Sequence, residues 1–211
     1  MRRAVVLLAG LMALTPAFAG IVYNNGGPNG ADGNEMTEWM QAEDFVLAGS
    51  ATLTDVTFWS MERDGAYQAS IVWQIFSDNA GAPGSVLFSG SATPTRTSDP
   101  DAAQPGWGYP IGMRNDFSVG SIALLGGTTY WLALHNGPLS TTYRADFYWA
   151  TADANASLTA HEQDLAYNPG VWSANSNQHA FNLSDTTGVP EPASLLLVGA
   201  GLLGLGFIRR R

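Results

Sequence analysis

From Tyr67 to Phe76 the odd positions Tyr67, Ala69, Ile71, Trp73 and Ile75 are apolar and Gln68, Ser70 and Gln74 are polar. Only Val72 and Phe76 break the alternation. A period of two is that of a strand with one face buried. Thr128 to His135 repeats it, with Tyr130, Leu132 and Leu134 on one face and Thr129, Trp131, Ala133 and His135 on the other, which predicts a central strand partly covered on both faces. Similar patterns predict strands near Ile21–Asn24, Ala42–Leu47, Thr52–Trp59, Ser85–Ser91, Tyr109–Val119, Tyr143–Ala150 and Gln178–Leu183. Turns fall at Gly26-Gly27-Pro28, at Asp78 to Gly84 and at Asn136-Gly137-Pro138, where Gly supplies positive φ and Pro fixes its own. Short helices are expected over Met36–Ala42 and Ala156–Asp164, and Ala92–Gly106 reads as a surface connection. Many short strands with frequent turns predict an all-β fold, an antiparallel β-sandwich of jelly-roll type.

The chain ends follow other patterns. Residues 1–19 open with Met1-Arg2-Arg3, continue through the apolar run Ala4–Leu14 and finish at Ala17-Phe18-Ala19. This is the plan of a secretory signal peptide, with Ala17 and Ala19 as the small residues a signal peptidase requires. Residues 20–188 form the sandwich body. The tail, 189–211, begins with Val189-Pro190-Glu191-Pro192, runs through 16 uncharged residues from Ala193 to Ile208, and ends in Arg209-Arg210-Arg211. As a single transmembrane-type helix that run would be about 24 Å long, a little short of a ~30 Å hydrocarbon core. The three arginines orient it, because positive residues stay on the cytoplasmic side, which leaves the body outside.

This tail resembles the PEP-CTERM sorting signal of Gram-negative bacteria. The resemblance implies that an exosortase recognises Pro190-Glu191-Pro192 and removes the tail. It also implies transient anchoring in the inner membrane, a final place at the cell surface or outside the cell, and association with exopolysaccharide and biofilm. The segments Trp73–Gly84 and Gly127–Leu134 resemble a sandwich body carried by other surface proteins of that type.

Composition narrows the chemistry. The chain has 211 residues, 18 acidic groups and nine basic ones, all arginine, with no lysine and no cysteine. Between residues 20 and 188 four arginines stand against 17 acids, a net charge of −13. Such a body repels nucleic acid, whose binding needs clustered cations. Schiff-base, thiol and disulfide chemistry are excluded with the missing residues. About 169 residues remain after both ends are removed, enough to bury a core without cross-links.

No Gly-X-Ser-X-Gly elbow is present, and His135, His161 and His179 lack metal-binding spacing. The expectation is a protein without catalysis. The alternative is a secreted glycan hydrolase using a pair among Glu43, Asp44, Glu62, Asp64, Asp116, Asp146 and Glu162. No cofactor is expected, with calcium as the alternative at Asp32-Gly33-Asn34-Glu35, Asp78-Asn79, Asp99-Pro100-Asp101 or Asp153-Ala154-Asn155. The candidate glycan-binding residues are Trp107 and Tyr109, which share a face if Gln104–Pro110 is extended, and the loop aromatic Trp172.

Overall fold

The computed structural model describes residues 20–153 and 158–185. In chain order the strands are β1 (Gly20–Asn24), β2 (Gly33–Glu35), β3 (Trp39–Val46), β4 (Ala51–Glu62), β5 (Ile71–Asp78), β6 (Pro83–Ala92), β7 (Thr95–Ser98), β8 (Ile111–Leu124), β9 (Thr129–Asn136), β10 (Phe147–Ala150), β11 (His161–Asp164), β12 (Ser173–Ala174) and β13 (Phe181–Asp185). They form two sheets whose strand-to-strand pairings are antiparallel.

The first sheet is built on β4. One edge of that strand pairs along its whole length with β8, and β7 lies beyond. Its other edge is shared end to end, β13 taking Leu53–Phe58 and β10 taking Ser60–Glu62, with β1 and β2 outside them. The second sheet runs β12-β11-β3-β9-β5-β6.

The alternation read from the sequence is what packs the sheets together. Ile71, Trp73 and Ile75 of β5 and Tyr130, Leu132 and Leu134 of β9 face inward. They meet Val56 and Phe58 of β4, Phe117 and Val119 of β8, Phe147 and Trp149 of β10, and Phe181 and Leu183 of β13. Phe181 anchors the middle, with its ring centroid 5.9 Å from Trp149 and 6.5 Å from Phe45 across the interface. Burying such rings supplies most of the driving force for folding, at roughly 25 cal/mol per Å² of apolar area removed from water.

The second sheet carries another apolar cluster on its outer face: Met40, Ala42, Phe76, Trp131 and Ala133, covered in part by Leu165 and Trp172. Adjacent residues of a strand face opposite ways, so Trp131 and Ala133 lie outside while Tyr130, Leu132 and Leu134 lie inside. The break in alternation at Phe76 belongs to this outer layer.

Several expectations are corrected. The helix over Met36–Ala42 is absent, and β3 occupies Trp39 onward. Met36 packs in the inner cluster and Met40 in the outer one, so their four-residue spacing does not mark one apolar stripe. The second expected helix, Ala156–Asp164, falls partly on residues outside the described set, and its last four residues, His161–Asp164, are strand β11. Strand β5 begins at Ile71 and not at Tyr67, because Ala69 takes a left-handed φ of 62° that ends any extended run. Ala92–Gly106 is more than a connection, holding β7 and a 3₁₀ turn at Pro100–Ala102. No helix among the described residues is long and apolar enough to cross a membrane. The expected C-terminal helix lies outside the described residues.

Candidate functional site

The outer face of the second sheet holds a cleft of about 730 Å³, a volume within the usual range of ligand sites. Gln74 and Phe76 of β5 line it, the turn Ser77–Asn79 and the start of β6 (Pro83–Val86) form one side, and Gln163, Gly170 and Trp172 form the other.

Local chemistry fixes each wall. After β11 the chain turns sharply, because Asp164 Oδ1 accepts from the backbone N–H groups of Ala166 and Tyr167, each at 2.9 Å. This is the turn geometry to which Asp is suited. Gly170 takes φ +88°. With its amide oriented so that Oε1 faces the loop, Gln163 accepts from the N–H groups of Gly170 and, at 3.2 Å, Val171. The loop thus delivers Trp172 edge-on to Phe76, with centroids 5.4 Å apart and planes at 84°. On the opposite wall the indole N–H of Trp131 donates to Asp78 Oδ1 at 3.0 Å, and the Gly81 N–H donates to the same carboxylate. The hydroxyl of Ser77 accepts from Ser85 N–H at 3.1 Å, tying the two arms of the hairpin together. A half-buried indole beside an oriented carboxylate and several amides is suited to a sugar, which presents apolar C–H faces and a rim of hydroxyls.

Trp107 and Tyr109 lie elsewhere and do not share a face. Their stretch is not extended: Pro105–Trp107 is a 3₁₀ turn, closed by Gly108 at φ 86°. Tyr109 folds back onto Tyr148 on the outer face of the first sheet, with centroids 4.6 Å apart and hydroxyls 2.9 Å apart. The guanidinium of Arg63 covers Tyr109 and that of Arg144 covers Tyr148, and both arginines lie 3.3 Å from Asp146. Burial, reinforced by the Tyr109 hydroxyl, holds the Tyr148 phenol above its ordinary pKa. Trp107 itself is 59% exposed. Of the three aromatic candidates only Trp172 lines a cleft described here; Trp107 and Tyr109 sit on the opposite side of the sandwich.

A second groove of about 620 Å³ on the outer face of the first sheet is lined by Asp55, Thr57, Arg114, Asp116 and Asn182 among others. Asp116 Oδ1 accepts from the Thr57 hydroxyl at 2.6 Å and from Arg114 at 2.9 Å. The carboxyls with raised pKa lie inside the sandwich and not in either depression. Burial raises Glu62, opposed by its bond to Arg96. Burial raises Glu43 well above the usual range and lowers His179 to about 3. Both side chains are fully buried, with Glu43 Oε2 3.0 Å from His179 Nδ1, so their contact is a hydrogen bond between neutral groups. His179 Nε2, 3.2 Å from Asn34 Oδ1, is then the protonated nitrogen. His135 and His161 are also held by backbone carbonyls, of Thr37 and Gly137 and of Thr159 respectively.

Three of the four candidate calcium loops use carboxylates locally. Asp32 accepts from Gly33 N–H, Asp99 from Trp59 Nε1 and Asp101 N–H, and Asp78 as described above. Among the described residues no three His, Asp or Glu side chains gather as a metal would require. Asn155, Ala17, Ala19, Val189, Pro190, Glu191, Pro192, Arg209, Arg210 and Arg211 lie outside the described residues.

The sequence reading missed Gln74, Phe76, Asp78 and Gln163 as neighbours of Trp172. The apolar Phe76 out of phase in its strand was the available signal; the approach of the 165–172 loop was not encoded in any local pattern.

No curated protein sequence matches this chain. Residues 188–211 match the family model of the PEP-CTERM protein-sorting motif, which implies that the protein is exported and processed at the membrane by an exosortase.

Proposed function

We propose that the exported body is a non-catalytic binding module that attaches to exopolysaccharide through the cleft at Trp172. Signal peptidase cuts behind Ala19, the tail holds the protein in the inner membrane until the exosortase acts at Pro190-Glu191-Pro192, and the body then works at the cell surface or in the matrix. The frame is a jelly roll: β1-β13-β4-β8 lie side by side in one sheet and β3-β9-β5-β6 in the other, so that the chain crosses between sheets as two interlocked Greek keys.

The observation that carries the reading is the perpendicular pair of Trp172 and Phe76 at the cleft, flanked by Asp78, Asn79 and Gln74. Against hydrolysis stands the make-up of the walls. Glycosidases flank the scissile bond with two carboxyls, and among the described residues Asp78 is the one acid lining the cleft. In the groove of the first sheet Asp55 and Asp116 are both present, but Asp116 is already engaged by Thr57 and Arg114.

The test is co-sedimentation of the purified exported protein with insoluble exopolysaccharide from the producing cells. The parent pellets with the polysaccharide, and Trp172→Ala weakens binding about tenfold, which is about 1.4 kcal/mol. Equal pelleting of parent and variant would remove the cleft from the account.

A further inference from the structure

We propose that the cleft selects uncharged polysaccharide and rejects chains bearing carboxylate or sulfate groups. This deepens the reading of the cleft as a glycan site and rests on it.

The inference comes from where the cations are. The chain has no lysine, and four arginines serve the whole body. Each is paired away from the cleft: Arg63 and Arg144 with Asp146, Arg96 with Glu62, and Arg114 with Asp116. None of them lines the cleft, nor does a histidine. An anionic sugar entering there would lose its water and find no guanidinium to pair with, and recognition of carboxylate or sulfate depends on such pairing.

The charge that is present has the opposite effect. Asp78 is held by Trp131 Nε1 and Gly81 N–H, so its position at the cleft wall is fixed before any ligand arrives. Its remaining lone pairs can accept from a sugar hydroxyl, a charge-assisted bond stronger than a neutral one. The same carboxylate repels an anion, and the body's charge of −13 adds to that repulsion at low salt. Gln74, Asn79 and Ser85 supply neutral donors and acceptors around it. Hydroxyl groups satisfy this set completely; a uronate does not.

Affinity electrophoresis of the full exported protein tests this, with gels containing hydroxyethylcellulose, glucomannan or dextran as neutral probes and alginate or sulfated dextran as anionic ones. At least one neutral polymer slows the parent, and neither anionic polymer does so at low or high salt. Trp172→Ala weakens the binding read from the retardation about tenfold, while Trp172→Phe, which keeps a ring against Phe76, retains most of it and so separates binding from folding. Asp78→Asn weakens binding to the neutral polymer about tenfold, as expected for loss of a charged acceptor. Retardation by alginate that disappears in Trp172→Ala would overturn the selectivity while leaving the glycan site standing. Failure of every polymer to slow the parent would overturn the glycan reading itself.

Discussion

Burial favours the uncharged forms of Glu43 and His179, and this gives stability a dependence on pH. The folded pKa of Glu43 is raised above its unfolded value of 4.5, so its contribution is complete below that pH and is lost as pH rises toward the folded value. The folded pKa of His179 is depressed from 6.5 to about 3, so its contribution is present above 6.5 and is lost as pH falls toward 3. Above 4.5 the two slopes oppose one another wherever their ranges overlap. In Glu43→Gln only the histidine limb remains. Urea titrations across pH will show the variant gaining on the parent by about 1.4 kcal/mol per pH unit above the unfolded carboxyl pKa; parallel curves would contradict the neutral assignment of Glu43. A second prediction concerns the exposed indole on the other side of the sandwich. Trp107→Ala leaves both stability, within about 0.5 kcal/mol, and polysaccharide binding unchanged, as denaturant melts and affinity gels will report. Loss of binding in that variant would move the site to the Tyr109 side.

At the scale of elements, β4 and β6 are opposites. Strand β4 is paired along both edges, and Phe58 in it is fully buried between Phe117 and Trp149. Phe58→Ala is expected to cost about 3–5 kcal/mol. Strand β6 ends its sheet and Val86 is 48% exposed, so Val86→Ala should stay within about 0.5 kcal/mol. Equilibrium denaturation of the two variants checks both, and similar losses would mean that the order of the sheet is wrong. The same contrast explains what the sequence could disclose. Strand β5 sends Ile71, Trp73 and Ile75 into the inner core opposite the polar Gln74, so its period of two can be read directly, whereas β9 is buried on both faces and shows an apolar run. Strands β2, β7, β11 and β12 span only two to four residues, and sequences such as Thr95-Arg96-Thr97-Ser98 carry no apolar alternation. Their extended conformation is imposed by the neighbour they pair with. The cleft was legible only through Trp172 and the misplaced Phe76, because Gln163 and Asp78 acquire their roles from a loop and a hairpin brought together by tertiary folding. For Trp107 and Tyr109 the extended-face expectation failed at Pro105 and Gly108, which turn the chain and send Tyr109 onto Tyr148.

At the scale of the whole molecule, a negatively charged sandwich without lysine or cysteine is followed by a PEP-CTERM sorting motif, which implies export. The sequence has no cysteine for a cross-link, and two layers of aromatic and aliphatic side chains form the core. The outer surface of the body supplies the cleft. The proposed attachment and the export signal involve different parts of the chain, so the proposal predicts that substitution separates them. Replacing Pro190 and Glu191 by alanine should leave the tail attached and the protein in the membrane fraction, with the cleft still competent. Substituting Trp172 should have the reverse effect. Quantitative mass spectrometry of terminal peptides in the cytosol, membrane, matrix and medium tests both at once. The parent is predicted in the matrix, beginning at Gly20 and lacking Arg211, and Trp172→Ala is predicted to carry the same termini but to escape into the medium. A parent protein confined to the cytosol with Met1 and Arg211 intact, or a Trp172→Ala protein held in the matrix as firmly as the parent, would contradict the account.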